Sequence, residues 1–123
     1  MREKLATQDG GPTGEAECYV ELRSENLHPD GAVIDADGNM WLAQWGASRI
    51  ACYSKDGQFI NAIEFDALQA SCPAFGGPEL RTIFCTTAAI DLSVETRAEQ
   101  PSNGMTFLSE SVGTGQSEHQ VIL

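Results

Sequence analysis

Few side chains in this sequence have types and spacing that bear on chemistry. Asp30, in His28-Pro29-Asp30-Gly31, is a carboxylate held between a proline and a glycine. Oxygen ligands of this kind suit hard divalent cations, and a cation so held polarises a carbonyl. Pro-Asp-Gly is equally the composition of a plain turn. His28 reads either as a ligand or base beside Asp30 or as an exposed loop histidine, and His119 as a solvent-facing one. An EF-hand loop beginning at Asp35 needs Gly at its sixth place and Glu at its twelfth. Those places hold Met40 and Gly46, so Asp35-Ala36-Asp37-Gly38-Asn39 reads as a hairpin turn. Cys18, Cys52, Cys72 and Cys85 form no Cys-x-x-Cys pair, which removes the clustered thiolates of a zinc site. They read as buried free thiols that pack, with disulfides as the alternative. Cys72-Pro73-Ala74-Phe75-Gly76-Gly77 reads as a tight strand entrance, with an anion cradle as the alternative. The nucleophile-elbow, phosphate-loop and H-E-x-x-H patterns are all missing.

The elements that must position these groups are strands. Residues 17–22 alternate apolar and polar, and Asp-Gly turns at 37–38 and 56–57 separate β-type runs. Four short antiparallel strands are expected at 31–35, 40–45, 49–54 and 59–65. Within the second, Trp41, Ala43 and Trp45 share one face and Met40, Leu42 and Gln44 the other. Residues 6–14 and 93–104 are polar and read as loops.

A repeat underlies this meander. An offset of about 43 residues sets Trp41 on Phe84, Ala43 on Thr86 and Ala32 on Phe75, the spacing of one four-stranded propeller blade. Two blades and a leading strand (17–22) are expected, the second with Met105–Leu108 and residues 120–123 in its outer half. The innermost strands of a propeller line its central channel, so Asp30, opening the first of them, faces a shared cavity.

Composition narrows the classes of partner. The net charge is −11, with no basic stripe, which disfavours nucleic acid and anionic membrane surfaces. With 41% hydrophobic residues the chain has enough for a packed core. There is no apolar run of about 18 residues for a membrane span, and the first residues lack the apolar stretch of a signal peptide. The expectation is a cytoplasmic protein.

The motifs in order resemble the senescence marker protein/regucalcin/gluconolactonase family, in particular its bacterial sugar-lactonase branch. They are Pro29-Asp30-Gly31-Ala32-Val33-Ile34-Asp35-Ala36-Asp37-Gly38-Asn39-Met40-Trp41, Trp45-Gly46-Ala47-Ser48-Arg49-Ile50, Ser71-Cys72-Pro73-Ala74-Phe75-Gly76-Gly77-Pro78, Phe84-Cys85-Thr86-Thr87-Ala88 and Gly104-Met105-Thr106-Phe107. Gly115-Gln116 and Val121-Ile122-Leu123 extend the likeness to the end. The resemblance implies an all-β fold, part of a six-bladed β-propeller. About two C-terminal blades are expected, near 29–66 and 71–123, after a polar leader over 1–14. It implies divalent-metal-dependent hydrolysis of a sugar lactone, with one Ca, Zn, Mn, Mg or Fe ion polarising the lactone carbonyl. Asp30 is similar to the family's metal-bound aspartate, both ligand and general base. The family's remaining metal ligands and its substrate-binding arginine and asparagine come from N-terminal segments with no counterpart here. Six blades of such repeats take about 260 residues, so the expectation is a C-terminal portion that is inactive alone. The alternative is a non-catalytic propeller piece acting by self-association or by pairing with an N-terminal half.

Overall fold

The computed structural model describes residues 6–8, 11–13 and 17–118, the first two segments by backbone alone. Strands β1 (Ala6–Gln8) and β2 (Gly11–Thr13) pair antiparallel, where the sequence reads as a loop.

The main body is a single seven-stranded antiparallel sheet. Strands β3 (His28–Ile34), β4 (Met40–Trp45), β5 (Arg49–Tyr53) and β6 (Phe59–Glu64) form a four-stranded meander, here called blade one. Strands β7 (Gln69–Gly76), β8 (Thr82–Ala88) and β9 (Thr106–Glu110) form a three-stranded meander, blade two. One bridge, Trp45 to Gln69, joins the two sets. The Asp-Gly turns fall between β3 and β4 and between β5 and β6, as their dipeptides require.

The alternation along β4 settles which face goes where. Trp41 and Ala43, with Ile50 and Cys52 of β5, pack on Ala70, Ile83 and Cys85 of blade two. Trp41 and Phe75 meet edge to face across this joint, with ring centroids 6.1 Å apart. Leu42, Ala51 and Tyr53 occupy the opposite face of blade one, under Tyr19, Val20, Leu22 and Leu27. The fold is therefore all-β, two blades of a propeller stacked face to face.

Three further expectations need correction. Residues 17–22 form no strand beyond a single bridge residue at Glu17. They are held instead by side chains: Leu22 is buried, and the Tyr19 hydroxyl donates to the Ser54 carbonyl. A strand needs a neighbouring backbone edge, and this segment lies over a face. Residues 93–104 are not all loop: α1 (Val94–Glu99) forms there, its first turn capped by the Ser93 hydroxyl, which accepts from the Thr96 N–H at 3.0 Å. Finally, Cys72 to Gly76 lies inside β7 rather than at its entrance, because Gln69 already pairs with Ala88. His119 and residues 120–123 lie outside the described residues. Among those described, no helix is long and apolar enough to cross a membrane.

Candidate functional site

The innermost strands β3 and β7 run side by side, and each carries an irregularity at the same level. On β3 the register with β4 shifts between Pro29 and Ala32, so Asp30 and Gly31 are the bulged pair. On β7 the shift lies between Ala70 and Cys72, leaving Ser71 out of the ladder. Bulges re-aim side chains and bend the strand locally. Here they bring two backbones into contact. A Cβ on Gly31 would lie 2.8 Å from the Ser71 carbonyl oxygen and 2.9 Å from the Cys72 Cα, so the residue after Asp30 has to be glycine.

Asp30 itself is exposed, as is His28, the first residue of β3. One end of the fold gathers around them: His28 pairs with Trp45, Trp45 bridges Gln69, and Gln69 pairs with Ala88. The tight turn 46–48 and the long connection 89–105 both leave from this end. The Gln69 carboxamide oxygen is buried here with no hydrogen-bond partner among the described residues. An acceptor left in that condition is open to a donor from solvent or ligand.

Burial pushes the Cys85 thiol up to about 11; backbone hydrogen bonds at Ser71 and Cys72 oppose the rise, while charge on Cys72 and Asp30 adds to it. Asp30 thus lies within electrostatic reach of the joint between the blades. Burial, with charge on Asp35 adding, likewise raises Cys52 to about 11. Neither thiol is a nucleophile near neutrality. All four cysteines are free, and the expectation that they pack inside holds for Cys52 and Cys85 but not for Cys18 and Cys72, which are exposed.

Asp35 has the opposite surroundings. Only 3% exposed, it accepts from the N–H groups of Asp37 (3.0 Å) and Asn39 (2.8 Å), from Asn39 Nδ2 (3.1 Å) and from Trp41 Nε1 (3.0 Å). Its oxygens are used up in holding the turn.

A hard divalent cation takes roughly six to eight oxygen ligands. Among the described residues no three of His, Cys, Asp and Glu stand together in a way that would hold a metal ion. Asp30 offers one carboxylate to such an ion, and these residues alone do not fit a complete metal centre.

Sequence reasoning found Asp30 but missed Ser71 and Gln69, which share its end of the fold. No local signal marks either, because their placement depends on the approach of β3 to β7.

With this geometry established, the comparisons with known proteins are decisive on lineage. Residues 3–89 match the profile of the family described as SMP-30/Gluconolactonase/LRE-like region. The chain belongs to that family. It is 41% identical over 110 residues to a putative sugar lactone lactonase of Rhizobium meliloti, covering 87% of this chain and 36% of that protein. It is 30% identical over 108 residues to an L-arabinolactonase of Azospirillum brasilense, covering 88% and 35%. Among solved structures, the calcium-binding protein regucalcin of Agrobacterium tumefaciens superposes with a TM-score of 0.86 at 33% identity, over 91% of this chain and 38% of that one. The family member described here therefore spans just over a third of the length of these relatives.

Proposed function

We propose that this chain forms one wall of a sugar-lactonase active centre, with Asp30 as the carboxylate that takes the proton from the attacking water. The observation carrying the proposal is the placement of Asp30: a solvent-facing carboxylate on a bulged innermost strand, kept there by a glycine that no other residue can replace. The lactonase names of two relatives supply the substrate class. In the proposed step a water oxygen adds to the lactone carbonyl carbon while its proton passes to Asp30. The ring C–O bond then breaks, and the departing alkoxide recovers a proton to leave the open hydroxy acid. The regucalcin relative is described as calcium-binding, and Asp30 would be one ligand of such an ion. Among the described residues no group of three or more His, Cys, Asp and Glu side chains is placed to complete such a site. The remaining ligands and the groups that orient the sugar ring would come from further blades.

The test is lactone opening followed by acid release at constant pH, on a panel of pentono- and hexonolactones, with and without added divalent ions. The wild-type chain is compared with Asp30→Asn, which keeps the shape and removes the base. Catalysis above background that falls by about 10²-fold or more in Asp30→Asn supports the proposal. Equal rates above background for the two proteins refute the role of Asp30, and background rates throughout accord with a site that further blades complete.

A further inference from the structure

The connection between β8 and β9 carries the one asparagine of this sequence that is followed by glycine. Asn26, Asn39 and Asn61 precede Leu27, Met40 and Ala62, whereas Asn103 precedes Gly104. In such a pair the backbone nitrogen of the glycine reaches the carboxamide carbon of the asparagine, because no Cβ on the following residue obstructs the approach. The reaction that follows needs water and nothing else. The Gly104 nitrogen gives its proton to solvent and bonds to Asn103 Cγ; the Cγ–Nδ2 bond breaks, and the nitrogen takes up a proton and leaves as ammonia. The cyclic imide then adds one water. Opening at the side-chain carbonyl leaves an aspartate, and opening at the backbone carbonyl leaves an isoaspartate, with the chain running through Cγ.

In the folded chain each reacting group is occupied. The Gly104 N–H donates to the Thr87 hydroxyl oxygen at 3.0 Å, and that hydroxyl donates on to the Met105 carbonyl at 2.7 Å. Thr87 is buried in β8, so this acceptor is fixed. The Asn103 carboxamide is held at both ends: its oxygen accepts from the Leu68 N–H and its Nδ2 donates to the Gln100 carbonyl, each at 2.8 Å. Closing the imide ring requires the carboxamide to turn away from both partners and the Gly104 nitrogen to leave the hydroxyl. The fold nevertheless needs this reactive pair. Gly104 stands at a φ of 91°, which favours glycine, and Asn103 uses both arms of its amide.

We propose that Asn103-Gly104 is a deamidation site guarded by Thr87, inert while the 89–105 connection is closed and reactive when it opens. The product does not fit the closed state. An aspartate keeps an acceptor for the Leu68 N–H but sets its second carboxylate oxygen against the Gln100 carbonyl, acceptor facing acceptor. An isoaspartate adds a backbone methylene inside the turn that the Met105 N–H closes on the Ser102 carbonyl at 3.1 Å. Leu68 is where both changes are felt, since its N–H is bound by Asn103 and its carbonyl accepts from the Ser48 N–H at 3.0 Å. Deamidation therefore loosens, irreversibly, the tie from the connection through Leu68 to the turn 46–48, at the end of the fold where Asp30 lies.

The test is peptide-map mass spectrometry after incubation at one mildly alkaline pH, with aspartate and isoaspartate counted at each of the four asparagines. The wild-type chain is followed folded and in urea. Thr87→Val keeps the shape of the side chain and removes the acceptor, Thr87→Ser keeps the hydroxyl, and circular dichroism checks that both are folded. Lactone opening is not read, so the site stands apart from the function proposed for Asp30. Modification is expected at Asn103 ahead of the other asparagines, and faster in urea than in the folded chain by roughly tenfold or more. Folded Thr87→Val should exceed wild type by roughly fivefold, the factor for one lost hydrogen bond, and Thr87→Ser should match wild type. No reaction at Asn103 in urea, or a faster one at another asparagine, overturns the site. Equal rates folded and in urea overturn the guarding, and this comparison decides alone should Thr87→Val be unfolded. A folded Thr87→Val that reacts at the wild-type rate, or a Thr87→Ser that reacts as fast as Thr87→Val, overturns the part given to the hydroxyl. Hydrogen exchange at the Leu68 amide is expected to quicken in the deamidated chain, and exchange equal to that of untreated chain overturns the loosening.

Discussion

Asp30 and Asp35 lie on one short stretch of chain and have opposite chemistry for a reason that the hydrogen bonds supply. Asp35 is saturated by two backbone N–H groups, an amide and an indole, so what it offers is structural. Asp30 is exposed and remains available. The sequence already separates them in part, since Asp35-Ala36-Asp37-Gly38-Asn39 has the composition of a turn and fails the spacing of a cation loop. It does not reveal that Asp35 reaches the core tryptophan, because the indole of Trp41 comes within range only when β3 and β4 are paired. Removing the Asp35 carboxylate would leave the Trp41 N–H, in a side chain only 2% exposed, without a partner. Asp35→Ala is therefore expected to cost about 1–3 kcal/mol, the range for leaving a buried donor without its partner. Asp35→Asn, which keeps one acceptor oxygen, should cost clearly less. Urea unfolding followed by tryptophan fluorescence measures both, and a loss below about 1 kcal/mol for the alanine variant would contradict this assignment.

At the scale of elements, the strands were legible and the departures from regularity were not. Two Asp-Gly dipeptides and the alternation through Met40-Trp41-Leu42-Ala43 place β3 to β6 to within a few residues, because hairpin turns and faces are set locally. The bulges at Asp30-Gly31 and Ser71 arise from two strands meeting across a joint, which no window of sequence contains. The strand expected at 17–22 failed for a related reason: its pattern is right, but the ladder it would join is missing from the described residues. The helix α1 was overlooked although Ser93 followed by Glu95 and Thr96 is a recognisable N-terminal signal. At six residues the helix is too short to hold by propensity. Its connection is pinned by Asn103, whose side-chain oxygen accepts from the Leu68 N–H at 2.8 Å and whose Nδ2 donates to the Gln100 carbonyl at 2.8 Å. That one amide ties the 89–105 connection to the entrance of β7, at the end of the fold where Asp30 lies. Asn103→Ala should leave the global fold intact with a loss of about 1 kcal/mol. It should also speed hydrogen exchange at the Leu68 amide by roughly tenfold or more. Unchanged exchange at Leu68 would mean that the connection is held by something else.

At the scale of the whole molecule, the larger of the two cores is shared between the blades, while the smaller lies between blade one and residues 19–27. The larger cluster draws Trp41, Ala43, Ile50 and Cys52 from blade one and Ala70, Ile83 and Cys85 from blade two, so neither of these two facing surfaces is buried without the other. The segment after β9 strengthens the joint. The Ala36 N–H donates to the Thr114 carbonyl at 2.8 Å, Asp35 bridges Gly115, and Val112 packs on the shared core. A Cβ on Gly115 would fall 2.3 Å from the Phe75 Cβ, so this strap closes over the joint with no room for a side chain. Blade two is thereby fastened to the very turn that Asp35 organises in blade one. A domain built this way should unfold in one step, and damage on one side of the joint should be felt on the other. Ile83, in blade two and 1% exposed, offers the test. Ile83→Ala is expected to cost about 2–5 kcal/mol. It should lower the urea midpoint equally whether read by far-ultraviolet circular dichroism, which reports both blades, or by tryptophan fluorescence, since both tryptophans lie in blade one. If the fluorescence midpoint stays at its wild-type value while the dichroism splits into two transitions, the blades unfold independently, and the shared core contributes less than its burial implies.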